Sequence, residues 1–304
     1  MPRVMLLALL AAASGRASGA PAGFSESLSP HFQLFHQSVF GSTGLTLELE
    51  RIHNRLRMDL SMFVPWMAKE RVQIYLYADR NAYLSGHYQP PSWSNGIAFY
   101  DKRLVATYEQ PPKQKLLHIL GHELTHLFFE SYWGEERKKP PSWLNEGLAM
   151  LEETDPADIV HSDWYQAMPM LGAGNFIRMP EFLSLSPTQN MSNKETVSLW
   201  YVQAYSVVYF LYRRHSRQQF FNFCVQMRQG KEFNKALWLV YRYPSVEQFE
   251  AAWRNWLKLP ETQRQFRPRE PSARGEGSSS SGRPRLKASA IPDFEFRSLM
   301  PADR

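Results

Sequence analysis

Two histidines and a glutamate in the stretch 116–150 have a spacing that suits metal chemistry. His122, Glu123 and His126 form the sequence HELTH. Residues four positions apart lie on the same face of a helix, so both imidazoles would point at one ion. Their separation suits a tetrahedral zinc, and Glu123 is placed to accept a proton from a water on the open side of the metal. The pattern therefore predicts a zinc site with a general base beside it.

A third ligand is needed to hold the metal, and Glu146, twenty positions after His126, is the predicted one. The charged run EERKK and two prolines predict a chain reversal between them. A second helix is then expected to begin with Ser142 as its N-cap, with Glu146 one turn in. Glu152 and Glu153, about two turns further along, are rivals for the third position.

The spacing of these residues resembles that of a known enzyme group. The metzincin pattern HExxHxxGxxH is excluded because Phe129 and Tyr132 occupy its later positions. HExxH followed at this distance by the phrase WLNEGLA resembles the gluzincin metallopeptidases, such as thermolysin, and looks most like the bacterial peptidase MA-like families. The motif covers about residues 116–150, and looser similarity extends to about residue 258. The resemblance implies one Zn²⁺, hydrolysis of peptide bonds, and a peptide or protein as substrate.

The resemblance also implies a group that stabilises the charge developing on the carbonyl oxygen, commonly a Tyr or His beyond the third ligand. Tyr201 and Tyr205 share one face of a predicted apolar helix; Tyr201 is favoured, Tyr205 is the alternative, and either could be a core residue. His215 is a weaker candidate, expected to be solvated at the end of that helix. Asn145 is predicted to orient the neighbouring Glu146, or else to cap the helix.

The elements that must position these residues are predicted to be a small sheet followed by helices. Alternating apolar residues predict strands, and an amphipathic pattern predicts a helix over Leu45–Trp66. The strands are predicted at 31–37, 72–77, 97–100 and 104–108. His31 and His36 are interpreted as residues on the face of the first strand rather than as ligands. The resemblance assigns the peptide-binding edge of the sheet to 96–100 or 104–108.

The second half of the chain is predicted to be almost wholly helical. Helices are expected at 199–214, 218–228, 233–240 and 245–258, after an irregular segment at 156–187. The predicted fold class is α+β: a small mixed β-sheet packed on the HExxH helix, followed by a mostly helical subdomain, as in zincins. The boundaries are expected at 24–155 for the catalytic subdomain and 156–258 for the helical one.

Both ends of the chain differ in composition from its centre. Residues 1–20 resemble a cleaved signal peptide, with Arg3 before a short apolar run, which predicts export to the periplasm or the outside and no stable membrane insertion afterwards. Residues 259–304 are rich in Pro, Arg, Gly and Ser and are predicted to be a disordered tail. Cys224 lies in an apolar phrase and, as the single cysteine, is expected to be a core residue.

The charge balance argues against a nucleic-acid partner. The net charge is +6, and residues 259–304 hold nine Lys and Arg against six Asp and Glu, which accounts for +3 of it. The chain length leaves the oligomeric state open.

The sequence thus predicts an exported zinc metallopeptidase. An endopeptidase is favoured because SNGIAFY lacks the amine-holding GxMEN motif of the clan's aminopeptidases. The alternatives are a non-catalytic peptide- or protein-binding module that keeps the zincin fold, and an envelope protein whose tail engages a partner. The intact Glu123 argues against the binding module.

Overall fold

A five-stranded mixed sheet forms one side of the molecule. The computed structural model describes residues 20–37, 42–187, 191 and 193–260, so the predictions for the signal peptide and for nearly all of the tail lie outside the described residues. The strands are β1 Ser25–Leu28, β2 Phe32–His36, β3 Val72–Tyr77, β4 Gly96–Phe99 and β5 Leu104–Tyr108.

The strand order is β1-β2-β3-β5-β4, with β2, β3 and β5 parallel and the two outer strands antiparallel to their neighbours. All five residues of β5 are buried, as expected for a strand covered on both faces. In β4, only Gly96 and Ile97 are buried. The fourth strand is therefore an edge of the sheet, and the fifth is an inner strand.

Ten α-helices occur in the described part of the chain, most of them after the sheet. They are α1 Ser42–Leu60, α2 Arg80–Leu84, α3 Lys113–Gly134, α4 Ser142–Glu152, α5 Asp163–Gly172, α6 Met179–Ser184, α7 Lys194–Tyr209, α8 Arg217–Arg228, α9 Phe233–Tyr241 and α10 Val246–Leu257. Short 3₁₀ turns lie at Pro65–Ala68 and Ile159–His161, and α7 continues into a π-helical turn at Phe210–Arg214. The α+β class and the zincin-like layout are confirmed.

The long helix α3 is the central element. It packs against β4 and β5 on one side and against α1 and α4 on others, and α4 in turn packs against α7. The larger of two hydrophobic clusters in the described residues runs from Phe32 in β2 to Leu257 in α10, and the smaller one lies around Tyr83 and β5. Cys224 is fully buried in the larger cluster, as predicted. The HExxH segment is thus held in the middle of the fold by elements from both halves of the chain.

The close packing of α4 on α7 depends on a glycine. A Cβ atom at Gly147 would lie 2.5 Å from both the carbonyl oxygen of Ala204 and Cγ2 of Val208. Any larger residue would force the two helices apart, because one of these atoms belongs to backbone and cannot rotate away. The residue after the predicted third ligand therefore sets how close α4 comes to α7.

Three predictions about local structure were wrong. The segment 156–187 is not irregular but contains α5 and α6. Ser162 caps α5 by accepting a hydrogen bond from the backbone N–H of Tyr165 at 3.2 Å, and the helix tolerates Pro169 because Trp164 and Leu171 are buried in the core. The glycines and prolines of this segment had suggested breaks.

The other two errors concern helix ends. The first helix ends at Leu60 rather than at residue 66, because Pro65 starts a separate 3₁₀ turn. Ser142 is the first residue of α4 rather than its N-cap. The cap is Pro141, whose carbonyl accepts from the N–H groups of Leu144 and Asn145, while the Ser142 hydroxyl donates to Ser186 Oγ at 3.3 Å. In the described residues, no helix has the length and apolar character needed to cross a membrane.

Candidate active site

The two histidines of the HELTH sequence face each other on α3. Nε2 of His122 and Nε2 of His126 lie 3.1 Å apart, and the ring planes meet at 80°. Both side chains are buried, with 2% and 3% of their surface exposed. Each ring therefore directs the same nitrogen at one point beside the helix, as the four-residue spacing predicts.

Helix α4 brings Glu146 to this point. Its Oε2 lies 3.8 Å from His122 Nε2, and its Oε1 lies 3.7 Å from His126 Nε2. Two ligands at 2.0–2.1 Å from a tetrahedral ion are roughly 3.4 Å apart, so the three distances fit one small metal ion. The three side chains form a buried group that could hold a metal, and the donor set of two imidazoles and a carboxylate suits zinc.

The protonation properties of the buried site residues favour a bound cation. Burial, together with the neighbouring His122, lowers the pKa of His126 to about 3, so this ring is neutral and its lone pair is available to a metal. Burial, with Glu123 and Glu130 nearby, raises the pKa of Glu146 well above its usual value. Oε2 of Glu146 is buried and accepts no hydrogen bond in the described structure. A cation at this point would compensate both the carboxyl groups and the orphaned oxygen.

Glu153 orients His122 rather than competing for the metal. Its Oε2 lies 2.9 Å from Nδ1 of His122, and its Oε1 accepts a hydrogen bond of 2.8 Å from Nε1 of Trp164. If Nδ1 carries the proton, Nε2 presents its lone pair to the place where the two histidines and Glu146 converge. Carboxylates outside the ligand group support metal-binding histidines in this way. The other rival, Glu152, lies outside the group of three, so neither occupies the third ligand position in the described structure.

A second carboxyl group, Glu130, lies near His126. Its Oε1 lies 3.8 Å from Nδ1 of His126 and accepts a hydrogen bond of 2.9 Å from Asn145 Nδ2. Burial raises the pKa of Glu130 to about 7. The sequence reasoning missed this residue, although its position four residues after a predicted ligand was a usable signal. Asn145 donates this hydrogen bond to Glu130, and its predicted role in orienting Glu146 stays a prediction.

The predicted base follows the ligand His122 on α3 and lies against the first residue of β4. Glu123 is 1% exposed, and a Cβ atom at Gly96 would lie 2.8 Å from its Cγ and 2.9 Å from its Oε1. A larger residue at the start of β4 would therefore displace the side chain of Glu123. Of the two strands considered for the peptide-binding edge, only 96–99 is an edge; β5 is flanked by β3 and β4.

The two tyrosines on α7 differ in their surroundings. Tyr201 is 6% exposed, packs against Trp164, and has its hydroxyl pKa raised by burial and by the nearby Glu146. Tyr205 is 1% exposed and packs against Tyr209 in the core. The proximity to Glu146 favours Tyr201 of the two.

His215 lies in different surroundings from those predicted. It is half-buried against Phe210 and Tyr241, and burial lowers its pKa to about 4. The expectation of a solvated histidine was therefore wrong, because α9 folds back over the end of the π-helical turn.

A second group of two histidines and a glutamate lies at the other end of the sheet. His31, Glu50 and His53 have ligand atoms within 4.8 Å of one another. The two rings, however, are stacked with centroids 3.8 Å apart and planes 14° apart, and Nδ1 of His31 is 2.7 Å from Glu50 Oε2. A metal binds imidazole in the plane of the ring, so an ion bound to one ring lies off the plane of the other. This group is therefore a stacked pair with a carboxylate partner, and it is not arranged for a shared ion.

Comparison with known proteins agrees with this geometry. The family model of the Peptidase MA superfamily matches residues 60–259, a span that includes α3, α4 and α7. No curated protein matches the chain. Because the match covers well over half of the 304 residues, this chain belongs to the Peptidase MA superfamily.

Proposed function

We propose that this protein is an exported zinc-dependent peptidase that cleaves peptide bonds, acting as an endopeptidase. The observation that carries the proposal is the buried group of His122, His126 and Glu146, with Glu123 beside His122 on the same helix and against the first residue of β4. The family supports a peptidase in general, and this arrangement supports the metal-dependent form of the chemistry.

In this proposal His122, His126 and Glu146 would hold the ion. When bound, zinc would lower the pKa of a water molecule and polarise the carbonyl of the substrate. Glu123 accepts the proton of the attacking water and delivers it to the leaving nitrogen. Tyr201 is the proposed hydrogen-bond donor to the developing oxyanion, since its hydroxyl is buried without a described partner.

The edge strand supports an extended peptide as substrate. The outer side of β4 has no neighbouring strand in the described sheet, and an extended substrate chain could pair along such an edge. The sequence at this edge lacks the aminopeptidase motif for a free amine, which favours an endopeptidase. The proposal of export rests on residues 1–20 alone.

The alternative is a peptide-binding module that retains the fold but does not catalyse hydrolysis. The presence of the carboxylate of Glu123, buried against the edge strand, favours the enzyme. A binding module gains nothing from a general base at this position.

Replacing the general base Glu123 distinguishes the peptidase from the binding module. Glu123→Gln keeps the size of the side chain and leaves all three ligands in place, so the variant should bind zinc as the wild type does. Cleavage of a peptide library should fall by about 10²–10⁴-fold, the usual contribution of general-base catalysis. Tyr201→Phe should reduce cleavage by a smaller factor, and Tyr205→Phe should leave it unchanged.

Glu181→Gln, at an exposed position on α6, is the matched control for purification and for contaminating proteases. Equal cleavage by the Glu123→Gln and Glu181→Gln proteins would assign the activity to another protein or site. A zinc-loaded wild type that cuts no library peptide would favour the binding module.

A further inference from the structure

Arg55 of α1 reaches the C-terminal end of α4. Its Nη2 donates a hydrogen bond of 2.7 Å to the carbonyl oxygen of Glu152, the last residue of that helix. The last carbonyls of a helix have no partner within the helix, and they carry the negative end of its dipole. A guanidinium group is well suited to this position, because it supplies both a donor and a positive charge.

The neighbouring position on α3 is a glycine that is closely packed against this contact. A Cβ atom at Gly121 would lie 3.1 Å from Nη2 of Arg55 and 3.2 Å from the Cα atom of Glu153. The guanidinium could swing aside, but the Cα atom belongs to the backbone of α4. Gly121 therefore sets how closely the end of α4 approaches α3, one residue before the metal ligand His122.

The residue that this contact fixes is the one that orients His122. Glu153 directly follows the carbonyl held by Arg55 and places its Oε2 2.9 Å from Nδ1 of the ligand. The arginine is thus tied to the end of α4 by its hydrogen bond to the Glu152 carbonyl.

We propose that Arg55 and Gly121 are positioning residues for the metal centre: they lock the end of α4 so that Glu153 holds the ring of His122. The inference rests on the proposed metal site and adds two residues that touch neither metal nor substrate. Arg55 acts through Glu153, so its effect should disappear when Glu153 can no longer orient the histidine.

A double-mutant cycle on zinc affinity tests this dependence. The dissociation constant of zinc is measured by competition with a chelator for the wild type, Arg55→Met, Glu153→Gln and the double variant. Changes to groups that orient metal ligands typically weaken binding 10–100-fold. Glu153→Gln should fall in this range and Arg55→Met near its lower end. The double variant should bind no more weakly than Glu153→Gln alone, since residues that act through one another are not additive.

Four further variants, two of them controls, make the result specific. Arg55→Lys should recover part of the affinity, and Gly121→Ala should lose affinity although it removes no hydrogen bond. Arg57→Met, at an exposed position of the same helix, and Gly44→Ala, where an added Cβ meets nothing within 4 Å, are the matched controls. The absorption spectrum of the Co²⁺-substituted protein should change in Arg55→Met and Gly121→Ala but not in the controls.

Two outcomes would overturn the inference while leaving the metal site intact: wild-type affinity in both Arg55→Met and Gly121→Ala, or losses that add in the double variant. If Arg55→Met does not fold, Arg55→Lys and Gly121→Ala replace it in the test. Each should still bind zinc more weakly than the wild type. A wild-type protein that binds no zinc would instead overturn the proposed function, and the inference with it.

Discussion

The described part of the chain contains two groups of two histidines and one glutamate, and of these two only one has the geometry of a metal site. In the group on α3 and α4 the ring planes are 80° apart and both Nε2 atoms point at one place. In the group formed by His31, Glu50 and His53 the planes are 14° apart and the rings are stacked. The same residue types are thus arranged for a shared ion in one case and for ring stacking in the other.

The difference follows from the elements that carry the residues. His122 and His126 are four apart on one helix, so the helix itself sets the angle between the rings. His31 lies just before β2 and His53 lies on α1, so their rings meet face to face where the strand and helix pack together. Nε2 of His53 is also held by the carbonyl of Met67 at 2.8 Å. The comparison shows that residue types and mutual proximity do not define a metal site without ring orientation.

The largest expected effect is a loss of zinc affinity that distinguishes Glu146 from Glu50. Glu146→Gln removes the third ligand, and zinc affinity should fall by more than 100-fold, beyond the ~10–100-fold typical of changes to groups that only orient ligands. Glu50→Gln, the corresponding change in the stacked group, should leave zinc affinity unchanged. Chelator competition on the two purified variants measures both values. Tight binding by the Glu146→Gln protein would show that the third ligand has been wrongly assigned.

The next effect concerns the orientation of His122. Glu153→Gln keeps the size of the side chain but removes the carboxylate from Nδ1, so zinc affinity should fall about 10–100-fold. Glu152→Gln is the matched control, because the neighbouring carboxyl group is equally buried but makes no described contact with either histidine. The same competition assay applies. If Glu152→Gln weakened zinc binding more than Glu153→Gln, the orienting role would have to move to Glu152.

The smallest effect is a dependence of stability on pH in the metal-free protein. Burial raises the pKa of Glu130 to about 7, whereas in the unfolded chain this group titrates near 4.5. The folded protein therefore binds the proton more tightly. The stabilisation is fully present below pH 4.5 and is lost as the pH rises through 7.

Glu130→Gln removes the titrating carboxyl group, so the variant does not lose this stabilisation as the pH rises. The thermal midpoint of the metal-free variant should rise relative to that of the wild type by a few degrees between pH 5 and pH 8. Glu135→Gln, an exposed change at the end of the same helix, should show no such trend. A difference between Glu130→Gln and wild type that stays constant with pH would mean that Glu130 does not titrate in this range.

Sequence reasoning was most successful where the periodicity of residues within one segment determines its secondary structure. The strand at Val72–Tyr77 was predicted with its observed ends, and α3 and α4 were found from the histidine and glutamate spacing. The α+β class followed from the order of these elements. These features depend on the chain's own periodicity, which is visible in the sequence.

The predictions failed where distant parts of the chain decide the outcome. Helix α5 was missed, because the burial of Trp164 and Leu171 that holds it in place depends on packing against α7 and α10. The contact of Arg55 with α4 joins residues 97 positions apart and has no signature in the sequence. The orienting role of Glu153 was also missed, because a carboxylate two turns past Glu146 cannot be assigned to a ring nitrogen without the packing of α4 on α3.

The most direct test of the account is the zinc content of three purified proteins. Elemental analysis after dialysis should give about one zinc per chain for the wild type and for His31→Ala, and none for His122→Ala with His126→Ala. That result would assign the metal to the crossed pair on α3. Zinc retained by the His122→Ala/His126→Ala protein but lost from His31→Ala would contradict the account, because it would place the metal in the stacked group.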